Sequence, residues 1–155
     1  MKKIDNLTFL LDVDGVLTSG NFFYSSEGKV LKEFGPHDAY SLKSLSKFMH
    51  ISFISADFRG FEITQKRIED MGFGVKLVSE EERFEYVSKN YNFDDLIYMG
   101  DGDADKLIIK ESFMSIAPNN ARPDAKNAAN FVTKCNGGEG AVAEAIDWII
   151  LKLKL

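Results

Sequence analysis

Thr8-Phe9-Leu10-Leu11-Asp12-Val13-Asp14-Gly15-Val16-Leu17-Thr18 decides the reading of this chain: an apolar run ends in two carboxylates two residues apart, followed by a glycine. In an extended segment residues i and i+2 project to the same side, so Asp12 and Asp14 face one small space at a strand's exit. Like charges held that close call for a shared proton or a cation, and oxygen donors suit a hard ion such as Mg2+. The pattern Asp-x-Asp-Gly also occurs in ordinary turns, so its meaning depends on the rest of the chain.

A second acidic cluster repeats the arrangement. Leu96-Ile97-Tyr98-Met99 reads as a buried strand, and it runs into Gly100-Asp101-Gly102-Asp103-Ala104-Asp105. A third run, Ile51-Ser52-Phe53-Ile54, ends in the hydroxyl of Ser55. Open α/β sheets gather their ligands at the carboxyl ends of strands. Short β-rich runs alternate with helical stretches throughout, the pattern of a parallel sheet wrapped by helices. Strands are expected at Leu7 to Val13, Ile51 to Ser55, Val75 to Val78, Leu96 to Met99, Phe113 to Ala117 and Phe131 to Thr133. Helices are expected at Asp38 to Met49, Phe61 to Met71, Glu80 to Tyr91, Asp103 to Lys110 and Arg122 to Ala129, with a last one from about Gly140 onward. Asn21 to Ser25 and Val30 to Phe34 read as a hairpin around Ser26-Glu27-Gly28-Lys29, placed as a flap over the acidic edge. The fold class is therefore α/β, a Rossmann-like parallel sheet with a flap hairpin at about residues 20–34.

Three catalytic elements in this order, an aspartate nucleophile, a phosphate-binding hydroxyl and a metal-binding acidic loop, resemble the haloacid dehalogenase superfamily of phosphohydrolases. The resemblance extends to one branch, the small phosphatases of 3-deoxy-D-manno-octulosonate 8-phosphate and of acylneuraminate phosphates. It is carried by Leu11 to Thr18, by Phe22 through Phe34, by Ala117-Pro118-Asn119-Asn120-Ala121-Arg122-Pro123, and by Gly137-Gly138-Glu139-Gly140-Ala141-Val142. The resemblance implies that Asp12 attacks phosphorus and that Asp14 serves as acid and then base. It also implies Mg2+ held by Asp12, the Asp14 backbone carbonyl and Asp101, with Asp105 orienting the metal or its waters. The implied substrate-binding set is Gly15, His37, Ser55, Ala56, Arg59 and Arg83.

This chain departs from the branch at several of those positions. Arg83 aligns with the usual phosphate-clamping lysine, and a planar guanidinium is not interchangeable with an ammonium. Glu80 to Glu82 before it also suit a plain helix N-terminus, which would leave Arg83 a surface residue. Ser55 replaces a threonine, Ala56-Asp57 replaces Gly-Arg with Arg59 displaced, and His37-Asp38-Ala39 replaces Arg-Asp-Gly. A sugar-acid carboxylate thereby loses a bidentate arginine partner. A non-catalytic family member acting as a structural or regulatory subunit is the competing reading. A calcium loop at Asp101 fails, because Ser112 stands where an EF-hand needs its glutamate.

At 155 residues and 45% hydrophobic, the chain supports a single catalytic domain, 1–155, without a separate cap. A net charge of -5 argues against nucleic acid as a partner. The lone Cys135, the absence of a signal-like leader and an apolar C-terminal run far short of roughly 20 residues make the cytoplasm the expected compartment, with no membrane span. The flap alone is small for a nine-carbon substrate, and Phe22, Phe23 and Tyr24 on it form an apolar patch. The resemblance accordingly implies a homotetramer in which neighbouring subunits complete the site, with the Gly137 to Gly140 stretch approaching an active site.

Overall fold

The computed structural model describes residues 4–155, so residues 1–3 of the expected domain lie outside the described part. In chain order the elements are β1 (Thr8–Asp12), β2 (Phe22–Ser25), β3 (Gly28–Lys32), α1 (Asp38–Leu45), β4 (His50–Ser55), α2 (Phe61–Asp70) and β5 (Val75–Leu77). They continue with α3 (Arg83–Asn90), β6 (Leu96–Met99), α4 (Lys106–Glu111), β7 (Met114–Ala117), α5 (Pro123–Ala128), β8 (Phe131–Val132) and α6 (Ala141–Leu153).

Six strands form one sheet in the order β5-β4-β1-β6-β7-β8, and every pairing in it is parallel. Parallel strands are covered on both faces, and this explains the unbroken apolar run of β1. Phe9 and Leu11 enter one core with Leu42 and Leu45 of α1, Ile68 of α2 and Val142, Ile146 and Ile149 of α6. Leu10 enters the other, with Tyr98 of β6, Val87 of α3, Ile108 of α4 and Ala125 of α5. The chain works outward from β1 through β4 to β5, then returns to β6 on the other flank of β1. The strand order thus reverses between β1 and β6, and a crevice opens at such a switch point.

Most expected elements are present with shorter ends. The helix expected from Glu80 begins at Arg83, because Ser79 ties the three glutamates into a turn: its Oγ accepts from Glu82 N at 3.3 Å and donates to Glu82 Oε2 at 2.9 Å. The helix expected from Asp103 opens with a tight turn over Asp103–Asp105. The flap differs more. Its turn is only Ser26-Glu27, since Ser25 pairs with Gly28, and the register shifts so that Tyr24 faces Lys29 while Phe23 faces Leu31. Val30 is the extra residue of a bulge. A bulge advances the side-chain alternation by one, so Lys29 and Lys32, three apart, come to the same side. Among the described residues, no helix is long and apolar enough to cross a membrane.

Candidate active site

Parallel register aligns the expected residues along one edge. Leu11 pairs with Met99 and Asp12 with Ile54, so Asp12, Ser55 and Asp101 leave three adjacent strands at the same level. The loop after β1 turns at Gly15, whose φ of +84° suits glycine and where a Cβ would sit on the Asp101 carboxylate. Thr18 Oγ accepts from Gly15 N at 3.2 Å and from Gly20 N at 3.1 Å, closing this loop on itself. Asn120 then clamps it from outside: Nδ2 donates to Gly15 O at 2.9 Å, and Oδ1 accepts from Gly137 N at 2.6 Å. Gly137 packs so closely on Gly15 and Thr18 that no Cβ fits.

Arg83 is not a surface residue. It is 3% exposed, and its Nη1 reaches Asp12 Oδ2 at 3.1 Å and Asp105 Oδ1 at 2.7 Å, while Nη2 reaches Asp12 Oδ1 at 3.4 Å. Asp12 Oδ1 also accepts from Val13 N at 2.8 Å, so the carboxylate is held in one orientation. Asp105 is fully buried. Its Oδ1 takes Arg83 and the Tyr98 hydroxyl, and its Oδ2 takes Asp101 N at 3.1 Å and Gly102 N at 2.9 Å. With both oxygens doubly engaged, Asp105 shapes the acidic loop and orients Arg83.

The flap brings in a group that no motif indicated. Lys32 Nζ lies 2.7 Å from both Asp14 Oδ1 and Asp57 Oδ2, and Lys29 Nζ lies 2.7 Å from Asp57 Oδ2. Lys29 also sits 3.9 Å over the Phe22 ring. Strand spacing alone would set these lysines on opposite faces, so only the bulge could have indicated them. Gly60 makes room for the cluster, since a Cβ there would collide with Asp57 and both lysine stems. Ser55, fully buried, donates to Asp14 Oδ2 at 3.3 Å and accepts from Asp57 N at 3.1 Å. The resulting cavity holds about 600 Å³ and is lined by Asp12, Asp14, Ala56, Arg83 and Asp101, with Phe22 and Lys29 of the flap and Glu80 and Glu81 at its rim. His37 and Arg59 are exposed and line no part of it; Arg59 sits on a single turn, Phe58–Gly60, whose buried Gly60 faces the cluster while Phe58 and Arg59 face solvent.

Burial pushes the Asp12 carboxyl well above the usual range against the pull of Arg83, and the neighbouring Asp105 and Asp101 add to the rise. Burial and Asp105 likewise push Asp101 up to about 7. Asp12, Asp101 and Asp105 bring ligand oxygens within 4.8 Å of one another, and a single guanidinium cannot neutralise three carboxylates. Such an all-oxygen set fits a hard divalent cation. Asp12 and Asp101 have the capacity to hold it, whereas the oxygens of Asp105 are already taken.

A family model described as haloacid dehalogenase-like hydrolase matches residues 74–146. The 3-deoxy-D-manno-octulosonate 8-phosphate phosphatase of Haemophilus influenzae is 30% identical over 156 residues, covering 96% of this chain and 86% of that protein. The same-named protein of Escherichia coli K12 is 28% identical over 158 residues, covering 96% and 82%. The cobalt-bound structure of the Haemophilus influenzae phosphatase superposes with a TM-score of 0.80 at 29% identity, covering 97% of this chain and 91% of that one. The Moraxella catarrhalis phosphatase, solved in complex with magnesium, phosphate and KDO, shares the fold with a TM-score of 0.83 at 23% identity, covering 96% and 88%.

Proposed function

Because the chain belongs to the haloacid dehalogenase superfamily, in its 3-deoxy-D-manno-octulosonate 8-phosphate phosphatase-like branch, we propose that it hydrolyses the phosphate monoester of a keto-deoxy sugar acid through an aspartyl phosphate. The protein is a phosphatase of a sugar phosphate. The substrate in this proposal is 3-deoxy-D-manno-octulosonate 8-phosphate or an acylneuraminate 9-phosphate, supported by the relatives' names and the shared motifs.

Phosphate monoesters resist hydrolysis because an anionic phosphoryl group repels nucleophiles, so catalysis lies in positioning and charge neutralisation. Asp12 is the nucleophile. Val13 N and Arg83 fix its two oxygens, and the guanidinium, 3.1 Å from Oδ2, also lines the cavity where the phosphoryl oxygens would lie. Asp14, at the cavity wall, gives a proton to the leaving sugar oxygen and later takes one from the attacking water. Ser55 serves this step through its hydrogen bond to Asp14. Asp12, the Asp14 backbone carbonyl and Asp101 would hold Mg2+, with Asp105 behind them; when bound, the ion supplies positive charge to the phosphoryl oxygens and to Asp12. Exposed flap residues support a homotetramer that completes the site, and the unpaired Cys135 accords with the cytoplasm.

The observation that carries this reading is the Asp12–Arg83–Asp105 linkage beside Asp101 at the strand-order reversal. Phosphate release by the metal-loaded enzyme tests it. Asp12→Asn removes the attacking charge at almost unchanged volume, so turnover should vanish while the fold persists. Wild-type turnover in that variant would exclude the aspartyl phosphate, whereas absence of metal-dependent release by the wild type itself would favour a scaffold role.

A further inference from the structure

Asp14 must change protonation without changing place, yet its side chain is 30% exposed on a loop. Two groups restrain it from opposite elements. Ser55 Oγ, at the end of β4, donates to Oδ2 at 3.3 Å, and Lys32 Nζ, on the flap, lies 2.7 Å from Oδ1. The lysine is itself immobilised: its side chain is 1% exposed, and its ammonium also reaches Asp57 Oδ2 and Thr64 Oγ1, both at 2.7 Å. An ammonium has three donors and no acceptor. One of them goes to Thr64, and the two carboxylates of Asp14 and Asp57 neutralise the charge, which turns the ammonium toward the chain's own groups. Lys29, three residues earlier on β3, pairs with the same Asp57 oxygen. A carboxylate that replaces the usual arginine beside the phosphate pocket is thereby neutralised within the chain and turned to holding Lys32.

We propose that Lys32 is a positioning residue for Asp14: anchored by Asp57 and Thr64, it holds the Asp14 carboxyl group at the leaving-group oxygen. The inference rests on the acid and base role of Asp14 given above. In the first half-reaction a bond forms from an Asp12 oxygen to phosphorus, the bond from phosphorus to the sugar oxygen breaks, and the Asp14 proton passes to that oxygen. In the second, water bonds to phosphorus, its proton returns to Asp14, and Asp12 departs as a carboxylate with release of inorganic phosphate. Both transfers need the carboxyl within about 2.6–3.2 Å of the oxygen concerned. A carboxyl swinging free on its loop would meet that condition only part of the time.

Phenyl, 4-nitrophenyl and 2,4-dinitrophenyl phosphate, hydrolysed by the Mg2+-supplied enzyme, form a series of increasingly good leaving groups. A misplaced acid harms the poorest leaving group most. Lys32→Met should lower kcat on phenyl phosphate roughly 10²-fold, at the lower end of general-acid contributions, and on 2,4-dinitrophenyl phosphate by no more than about threefold. KM should change little on any of the three. Lys32→Arg keeps a charged donor and should recover part of the loss on phenyl phosphate, and it carries the same comparison if the methionine variant does not fold. Asp14→Asn provides the reference, with the same dependence on leaving group and a larger amplitude. Equal losses on all three substrates, or no loss in Lys32→Met, would overturn the assignment of Lys32 while leaving Asp14 as the acid. A flat profile in Asp14→Asn would overturn the acid role and this inference together, with the nucleophile Asp12 unaffected.

Discussion

Arg83 puts a guanidinium between two buried carboxylates, and the branch's usual lysine could not span them in the same way. Its removal would leave Asp12 and Asp105 facing each other without a cation. Breaking a buried pair on one side destabilises by about 3–5 kcal/mol, and losing a charge-stabilising donor lowers kcat by roughly 10²–10³. Arg83→Ala should show both effects in denaturant unfolding and in steady-state turnover, and Arg83→Lys should restore part of each. Kinetics identical to wild type in the alanine variant would remove Arg83 from the mechanism. Asp101→Ala should instead raise the Mg2+ concentration needed for half-maximal activity, since an oxygen donor is lost; an unchanged requirement would show that Asp101 is no ligand. The two acidic motifs were legible because their signal is local, a carboxylate at the end of an apolar run. Arg83 was ambiguous for the same reason: a basic residue after three glutamates looks alike on a surface and in a core until the tertiary fold decides.

Glu144, on the first turn of α6, shows how one element secures another. Burial draws its carboxyl upward, but the backbone N–H groups of Lys134 and Cys135, donating at 2.9–3.0 Å, outweigh that and hold it below the ordinary value of 4.5. A carboxyl depressed in the folded state contributes stability above its unfolded value, and that contribution is lost as pH falls through the folded one. Glu144→Gln should therefore lower the thermal midpoint at neutral pH, with the difference from wild type closing as the pH falls through the folded-state titration of Glu144. A gap independent of pH would mean that packing, not charge, carries the effect. Asp38 supplies a related contact, accepting from Ala143 N at 3.0 Å where the N-cap, Gly140, has no side chain to do so. Helices and strands were legible from periodicity, with ends misplaced by a few residues where a local turn such as Ser79 to Glu82 intervened. The flap lysines were illegible, because a bulge at Val30 reverses the facing that simple alternation predicts.

For the molecule as a whole, the flap leaves Phe23 63% exposed and Leu31 60% exposed beside Phe22 and Tyr24. An apolar strip of this kind calls for a covering surface, and the proposed tetramer provides one. Phe23→Asp should dissociate the assembly and lower turnover together, as read by light scattering and phosphate release. A fully active wild-type monomer of 17.4 kDa would defeat the tetramer. The sheet order was foreseeable only in outline, since alternating elements announce a parallel sheet but not which strands lie side by side. Asn120 ties Gly15 to Gly137, joining a loop near the start of the chain to a segment more than a hundred residues later. On the ribosome, the nucleophile's loop therefore emerges first and waits for more than a hundred further residues before it receives its outer brace. A nascent chain halted before Gly137 would carry every acidic residue of the site and still lack the brace that sets them in place, so phosphatase activity should appear only once the segment around Gly137 has been made and has docked.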